Sequence, residues 1–484
     1  MKLSDLLADV PHKLVRGDPD VRITTLTYDS RSVVPHSAFV ALTGHVTDGH
    51  HHIAEAIESG ASAVVVQNPT EVQNFSTVIE VENSRVALAK MSSNYYSNPS
   101  AHLKLIGITG TNGKTSVSFL VRHILQQAGY RCGMIGTVEY DLGERVMPAV
   151  RTTPESLDLH KYLNLMVDGG CSHVVMEVSS HALHQHRVHG LHFDTVAFTN
   201  LTRDHLDYHV DMEDYFLTKR KLFEASMSGG VISNIGDPYG VRIAEDFKGV
   251  TVGDSELAQL QIQSMNLDQM GSRFLFAGVE FKIPLIGRHN VINTAMAIAI
   301  SRQSTGISLE QCGESLVDVK PVPGRLEPIE EKQPFGVYID YAHTDDALRN
   351  VLNALREVTK GRLLLVFGCG GNRDKGKRIK MGGVASELAD LVTITTDNPR
   401  REDPLVIAKQ IAKGCSEIRN EGWLIELDRA RAIDEALRTA LPGDTVLIAG
   451  KGHEAYQEFD GTIIPFDDGE QVRATLRGMR SGAS

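Results

Sequence analysis

Short runs of β-branched and aliphatic residues alternate along most of this chain with stretches whose apolar positions return every three or four residues. The pattern is most regular from about Gln333 onward. There the strand-type runs VYIDY, RLLLVFG, LVTITT, WLIEL and TVLIAG are separated by DDALRNVLNALREV, KMGGVASELAD, PLVIAKQIAKG and RARAIDEALRTAL, which read as helices. Such alternation predicts a parallel sheet with helices on its faces, a Rossmann-like domain. From about Ser100 to Pro328, LKLIG reads as a strand. The stretch after it repeats Val117, Leu120, Val121, Ile124, Leu125 and Ala128 at helical spacing, and Gly129 is the stop. HVVMEV and VAFTN are further strand-type runs, and GRHNVINTAMAIAIS reads as a loop entering a helix, with Asn290 and Asn293 at its start. Before Pro99, ITTLTY, AFVALTG, SAVVV and TVIEV alternate with helical stretches such as HHIAEAIESG, as in a small α/β domain. The expected class is α/β, in three domains spanning residues 1–99, 100–330 and 331–484.

Length supports that division, since 484 residues at roughly 100–200 per domain suggest three. An apolar content of 42% and a charged content of 23% are those of an ordinary globular protein. The five cysteines, Cys132, Cys171, Cys312, Cys369 and Cys415, are odd in number and lack metal spacing, which fits reduced thiols in a cytosol. The beginning, MKLSDLLADV, carries acids and no long apolar stretch, and no run reaches membrane-spanning length. A net charge of −12 argues against nucleic acid as the main partner. An anionic substrate must therefore be held by local basic clusters. The expectation is a cytoplasmic monomer with neither a membrane nor a nucleic acid partner.

The candidate chemistry centres on Gly107-Ile108-Thr109-Gly110-Thr111-Asn112-Gly113-Lys114-Thr115. A strand, a glycine-rich turn and a helix N-terminus present backbone N–H groups and a positive dipole end to a polyphosphate. Lys114 adds a point charge and Thr115 a hydroxyl suited to a phosphate-bound Mg2+. Ile108 stands where the longer P-loop pattern has its first glycine, so the shorter form GTNGKT is what fits, and it predicts an ATP or GTP phosphate site. Two further strands end in polar groups: Glu177, Ser179, Ser180 and His181 in one, Asn200, Asp204, His205, Asp207 and His209 in the other. Carboxylates and imidazoles at strand ends beside a P-loop suit Mg2+ and γ-phosphate handling. Asp29-Ser30-Arg31, Gly44-His45 and His50-His51-His52 lie on turns, where a solvated role serves as well, and Lys219 would ordinarily be a solvated helix lysine. In the last segment four polar clusters fall at the carboxyl ends of the strands, where open α/β sheets bind ligands. They are Asp340-Tyr341-Ala342-His343, CGGNRDKGKR, DNPR at 397 to 400 and GKGHE at 450 to 454.

GTNGKT, MEVSSH, TNLTRDHLDYH, Gly324-Arg325, DYAH, GCGGNRDKGKR, DNPR and GKGHE, in this order, resemble the Mur ligases of bacterial cell-wall synthesis over essentially the whole chain. Within that family the resemblance is to the enzymes that add the third peptide residue. It implies ATP-driven, Mg2+-dependent amide formation between UDP-MurNAc-L-Ala-D-Glu and meso-diaminopimelate through an acyl phosphate, with a UDP-muramoyl-binding first domain, an ATP-binding central domain and an amino-acid-binding last domain. By the same resemblance Gly110, Thr111, Asn112, Gly113, Lys114, Thr115 and Ser116 cradle the nucleotide. Asn293, Arg325, Asp340 and His343 match positions that contact the nucleotide and its γ-phosphate across the domain junction. Thr115 and Glu177 serve Mg2+, His205 supports the metal region, and Lys219 is a metal ligand as its carbamate. Ser30, His45, Thr152, Thr153, Ser179, Gln185 and Arg187 match contacts to the UDP-muramoyl-dipeptide. Arg373, Asp397, Asn398, Pro399, Arg400, Gly450 and Glu454 match the amino-acid pocket. Arg151 departs from relatives that carry Asn before the paired threonines. DNPR speaks against a lysine-adding relative and the fitting first segment against a folate polyglutamate synthetase. A GTPase switch lacks support because no NKxD stretch is present, and a catalytically dead scaffold because no matched position is missing.

Overall fold

Alternating β-branched residues build the sheets of the computed structural model, which describes residues 1–44, 47–72, 75, 77–225 and 229–481. Residues group into two compact units. The first comprises Met1–Thr109, Gly129–Ala197 and Thr218–Val231, and the second Gly110–Ala128, Phe198–Leu217 and Ile232–Ser484.

In the first unit, strands β1 (Lys13–Arg16), β2 (Thr25–Thr27), β3 (Ser37–Val40), β4 (Ala61–Val66) and β5 (Val78–Glu80) form a sheet of order β1-β5-β4-β3-β2. Only β1 is antiparallel to its neighbour. The period of two along β3, β4 and β5 sends Ala38, Val40, Ala63, Val65 and Ile79 into one apolar core. Phe39, Val64, Val66 and Val78 enter the other, so both faces are covered. The same unit holds β6 (Lys104–Thr109), β7 (Cys132–Ile135), β8 (Glu139–Asp141), β9 (Val146–Pro148), β10 (His173–Glu177) and β11 (Thr195–Phe198), in the order β11-β6-β10-β7-β8-β9. β6, β10 and β7 are parallel, which brings the carboxyl ends of β6 and β10 to one edge.

In the second unit, β12 (Gly230–Asn234) and β13 (Val250–Gly253) are parallel. The strands β14 (Leu260–Asp268), β15 (Gly271–Phe276) and β16 (Val279–Ile283) meander antiparallel. The expected helix after the glycine turn runs Lys114–Gln127 and packs on the helix Arg288–Thr305. Its apolar face is buried as predicted from Val117 to Leu125, whereas Ala128 is the exposed C-cap. The last part forms β17 (Glu327–Pro328), β18 (Gly336–Asp340), β19 (Leu363–Phe367), β20 (Leu391–Ile394), β21 (Trp423–Ile425) and β22 (Thr445–Ala449) in the order β17-β18-β22-β19-β20-β21. All but β17 are parallel. Leu363, Leu365, Phe367, Val392 and Leu447 face the helices Asp345–Val358, Gly376–Leu388 and Pro404–Ile418. Leu364, Val366, Val446 and Ile448 face Arg429–Thr439 and Asp468–Ser481. A hairpin of β23 (Tyr456–Phe459) and β24 (Thr462–Pro465) follows. The helix expected to begin near Lys380 starts earlier, at Gly376, because Asp374 Oδ1 accepts from Gly376 N at 2.8 Å.

Candidate active site

At the end of β6 the chain turns through Gly110–Gly113 into the helix Lys114–Gln127. Gly110 has φ 146°, and a Cβ there would lie 1.9 Å from Thr199 Oγ1, so the turn admits only glycine. At Gly113 a Cβ would meet Asn293 Oδ1 at 2.6 Å, which places the predicted residue Asn293 against the loop. Asn200 pins the turn, taking Thr111 N on its carbonyl at 2.8 Å and Asn112 N on its side chain at 2.9 Å. Lys114 Nζ lies over the loop, donating to Gly110 O at 3.0 Å and Thr111 O at 2.8 Å. Arg325 Nη2 donates to Thr115 Oγ1 at 3.2 Å, and its guanidinium sits 4.4 Å from the Tyr341 ring centroid. Ser116 is buried in the first turn. Two cations and the positive end of a helix dipole thus converge on one turn, as an anionic polyphosphate requires.

Beside this turn, Asp204 gathers the predicted imidazoles. Its Oδ2 is 3.4 Å from His205 Nε2 and 3.7 Å from His343 Nε2. Burial opposes ionisation of Asp204, yet the His343 contact and the charges of His205, His343 and Lys377 outweigh it and hold the carboxyl well below the usual range. Asp340 builds the turn: its carboxylate accepts from Leu326 N and Ala342 N, both at 2.7 Å. Burial pushes its pKa up, against the pull of Arg325 and those N–H groups. Asn112 Nδ2 also donates to Asp346 Oδ2 at 2.9 Å, and Arg203 Nε lies 3.2 Å from Asp374 Oδ2. The sequence reading passed over Asp346 and Asp374.

A cavity of about 520 Å3 opens next to Asn293 and Asn200. Ile292 and Met296 give it an apolar side, and His289, Asn350 and Asn353 line it with polar groups. Burial lowers the His289 pKa to about 4, so the ring is neutral at physiological pH. A slot with an apolar side, a neutral imidazole and several amides suits a flat heterocycle bearing donors and acceptors. Of these residues the sequence singled out Asn293 and Asn200. Asn290, noted beside it, turns away to Ile286 O at 2.9 Å.

Asp397-Asn398-Pro399-Arg400 follow β20 and meet the GKGHE loop. Asn398 Nδ2 donates to Glu454 Oε2 at 2.8 Å, and Asn398 Oδ1 accepts from Lys451 Nζ at 3.2 Å. Lys451 is 0% exposed and lies 3.8 Å from Asp397 Oδ1 and 3.5 Å from Glu454 Oε2. The sequence placed this lysine in the GKGHE cluster at a strand end but gave it no role of its own. Burial and then Asp397 push the Glu454 pKa up, although Lys451 works against them. At Gly450 a Cβ would stand 2.8 Å from Asp397 Oδ2. Arg400 has φ 52° and is held by Arg400 N→Glu458 O at 3.0 Å and Asp460 N→Arg400 O at 2.7 Å. Its Nη1 donates to Gly371 O at 2.8 Å, and its Nε is 3.2 Å from Glu458 Oε2. Arg373 is exposed on the facing loop. Beneath that loop the buried Arg378 pairs with Glu402 at 2.9 Å, and chiefly that contact lowers the Glu402 pKa to about 2.

In the first unit the dipeptide-side candidates come together around Glu177 at the end of β10. Glu177 Oε1 accepts from Thr137 N at 2.8 Å and Oε2 from Thr137 Oγ1 at 3.0 Å, while Thr137 Oγ1 is 3.1 Å from Thr152 Oγ1. Thr153 Oγ1 donates to Glu177 O at 2.8 Å and accepts from Ser179 N at 3.1 Å. Arg187 donates to Thr153 O at 2.9 Å and to Gln185 Oε1 at 2.7 Å. Arg151, the position that departs from relatives, takes the Tyr140 hydroxyl on its carbonyl at 2.5 Å. Ser30 is engaged elsewhere, donating to Glu55 Oε2 at 2.9 Å. His45 lies outside the described residues. Lys219, expected on a solvated helix face, is 1% exposed in the helix Met212–Glu224. A buried lysine there is not a surface charge. His50 is likewise not solvated but buried, 2.7 Å from Asp48 Oδ1.

Profiles of known families cover most of the chain. Residues 22–105 match the Mur ligase family catalytic domain, residues 108–301 the Mur ligase middle domain, and residues 324–452 the Mur ligase glutamate ligase domain. The UDP-N-acetylmuramoyl-L-alanyl-D-glutamate–2,6-diaminopimelate ligase of Caldanaerobacter subterraneus subsp. tengcongensis is 44% identical, over 98% of this chain and 99% of that protein. The enzyme of the same name from Clostridium perfringens is 42% identical, over 99% of this chain and all of its own length. A solved structure, also of a UDP-N-acetylmuramoyl-L-alanyl-D-glutamate–2,6-diaminopimelate ligase, matches with TM-score 0.68 at 29% identity and covers 99% of both chains.

Proposed function

The chain belongs to the Mur ligase family, and on that premise we propose that it joins meso-2,6-diaminopimelate to the D-glutamate of UDP-MurNAc-L-Ala-D-Glu, driven by ATP, in peptidoglycan synthesis. The observation that carries this reading is the polar cluster after β20. There Asp397, Asn398, Glu454 and buried Lys451 form one network beside Arg400, a site built for a zwitterionic amino acid with an anionic far end. The family matches at 22–105, 108–301 and 324–452 support domain boundaries at 1–99, 100–330 and 331–484.

In the reaction, Gly110–Ser116 receive the ATP phosphates, with Lys114 on the β/γ oxygens and Arg325 close by at Thr115. The adenine takes the cavity of His289 and Asn293. Thr152, Thr153, Ser179, Gln185 and Arg187 orient the dipeptide so that its terminal side-chain carboxylate attacks the γ-phosphorus. ADP leaves, and the acyl phosphate is now a competent acyl donor. The neutral amine of diaminopimelate, positioned by Asp397, Asn398 and Glu454, adds to the carbonyl. The tetrahedral intermediate expels phosphate, and the amine proton passes to solvent or a nearby base. Lys114, Arg325 and the helix N-terminus stabilise charge that grows on the transferring group.

Among the described residues no cluster of three or more His, Cys, Asp or Glu side chains forms a metal cage. Mg2+ needs none, since it keeps waters and phosphate oxygens around one or two protein ligands, and in chemical type the Thr115 hydroxyl of the second unit, with His205 in support, and the Glu177 carboxylate of the first would each suit that sparse role. The ion would supply neutralisation of phosphate charge. Lys219 is proposed as its carbamate, which turns a buried ammonium into a carboxylate-like ligand. Lys219→Ala is expected to lose activity by roughly 10²-fold or more and to regain part of it with millimolar acetate. A folded variant with no rescue would remove the carbamate from the account.

No helix among the described residues is long and apolar enough to cross a membrane. With a nucleotide-activated precursor as substrate, a cytoplasmic monomer is the proposed state. Phosphate release that requires ATP, the UDP-dipeptide and diaminopimelate together tests the reading. Release that is indifferent to any one of them contradicts it.

A further inference from the structure

The mechanism leaves one buried carboxylate of the first unit without a task. Glu155 caps the helix Ser156–Asp168, its Oε1 accepting from Ser156 N at 3.3 Å. Its Oε2 accepts from Arg85 Nη1 at 3.1 Å and lies 3.5 Å from Arg187 Nε. Two guanidiniums thus share one carboxylate oxygen, which leaves the cluster with one net positive charge. Each arginine also reaches outward. Arg85 Nη2 donates to Thr43 O at 3.1 Å, two residues before His45, while Arg187 holds Thr153 O at 2.9 Å and Gln185 Oε1 at 2.7 Å.

A single carboxylate therefore links the loop that leads to His45 with the turn of Thr152 and Thr153, both of which the family resemblance places in contact with the UDP-muramoyl-dipeptide. The helix that Glu155 caps is anchored to the same sheet by a second route. Tyr28 OH donates to Asp158 Oδ2 at 2.6 Å, and Leu157 is buried in the core with Leu26 and Val40. Without Glu155 the buried Arg187 and half-buried Arg85 guanidiniums would repel each other, and Arg187 would lose its fixed angle.

We propose that Glu155 and Arg85 are positioning residues. They form a charged bridge that sets Arg187 at a fixed distance from the Thr43 loop, so that the loop and the Arg187 turn are presented together to one extended, anionic substrate. The one net charge left over matches the one carboxylate that Arg187 must receive. The proposal rests on the substrate reading above and adds a reason for affinity that the contact residues alone do not supply.

The test is steady-state kinetics of Glu155→Gln, Arg85→Ala, Arg85→Lys and the Glu155→Gln/Arg85→Ala double variant, each substrate varied in turn. Loosening a positioned contact is expected to raise KM for UDP-MurNAc-L-Ala-D-Glu roughly tenfold in the first two. KM for ATP and diaminopimelate should stay within about twofold, Arg85→Lys should recover part of the loss, and the double variant should be little worse than either single one, because both break one bridge. Should Glu155→Gln fail to fold, Arg85→Ala carries the same prediction. A loss confined to kcat, or equal shifts in KM for all three substrates, would show a merely structural role and overturn the bridge. Additive losses in the double variant would do the same. Unchanged kinetics in the variants beside an active wild type sink the bridge alone, whereas a wild type inert toward the UDP-dipeptide sinks the substrate reading with it.

Discussion

Replacing Lys114 by alanine is expected to lower turnover by roughly 10²–10³-fold or more, the scale on which a single positioned donor stabilises transition-state charge. The thermal midpoint should scarcely move, since loss of a surface-type contact typically changes stability by only about 0.5 kcal/mol. The geometry separates these two outcomes. Lys114 Nζ donates to Gly110 O and Thr111 O, but the turn itself is pinned by Asn200 through Thr111 N and Asn112 N, and those bonds survive the substitution. An ammonium resting on loop carbonyls can leave them for phosphate oxygens, which are stronger acceptors. Near-normal ADP release by a folded Lys114→Ala variant would place the nucleotide elsewhere.

Arg400→Ala is expected to cost about 2–5 kcal/mol in diaminopimelate kcat/KM, the range for truncating one member of a buried charge pair. At 1.4 kcal/mol per decade that is about one and a half to three and a half decades. Lysine and diaminopimelate differ by a carboxylate at the far end, and Arg offers a planar fork for it. The left-handed backbone at Arg400, the bonds to Glu458 O and from Asp460 N, and the Gly371 carbonyl on Nη1 fix where that fork points. Removing the guanidinium also strips Glu458 of its 3.2 Å partner, leaving an anion to repel the substrate carboxylate. Use of lysine should fall far less, or rise slightly. Equal losses for both amino acids would make Arg400 structural, and Arg400→Lys, which keeps the charge without the fork, should fall between.

Local periodicity carried the fold a long way. β18, β19, β20, β21 and β22 lie where the apolar runs put them, because both faces of a parallel sheet are covered and its strands are mostly apolar, Asp340, Thr393 and Thr445 being the polar exceptions. The polar clusters that follow those strands face one another because parallel strands carry their ends to one edge. What depended on distant residues was not legible. Lys219 would ordinarily be a solvated helix lysine, yet packing from far along the chain buries it, and Lys451, placed by the sequence only within the GKGHE cluster, is buried as well. The cavity joins His289 to Asn350 and Asn353, about sixty positions further along the chain on another helix, and no spacing rule connects them. Glu155 carried no signal in the sequence. Its meaning comes from Arg85 and Arg187, one on each side of it in the chain and both far from it in sequence.

The most direct test of the central claim is product formation by the wild-type protein with ATP and UDP-MurNAc-L-Ala-D-Glu, offered meso-diaminopimelate, lysine, ornithine and alanine separately, with ADP release and product mass measured together. The account predicts one tripeptide product, carrying diaminopimelate, formed with one ADP per amide and with kcat/KM for diaminopimelate at least about a hundredfold above that for lysine, as a charge-pair cost near 3 kcal/mol implies. Preferential formation of the lysine product, or no amide with any diamine, would contradict it.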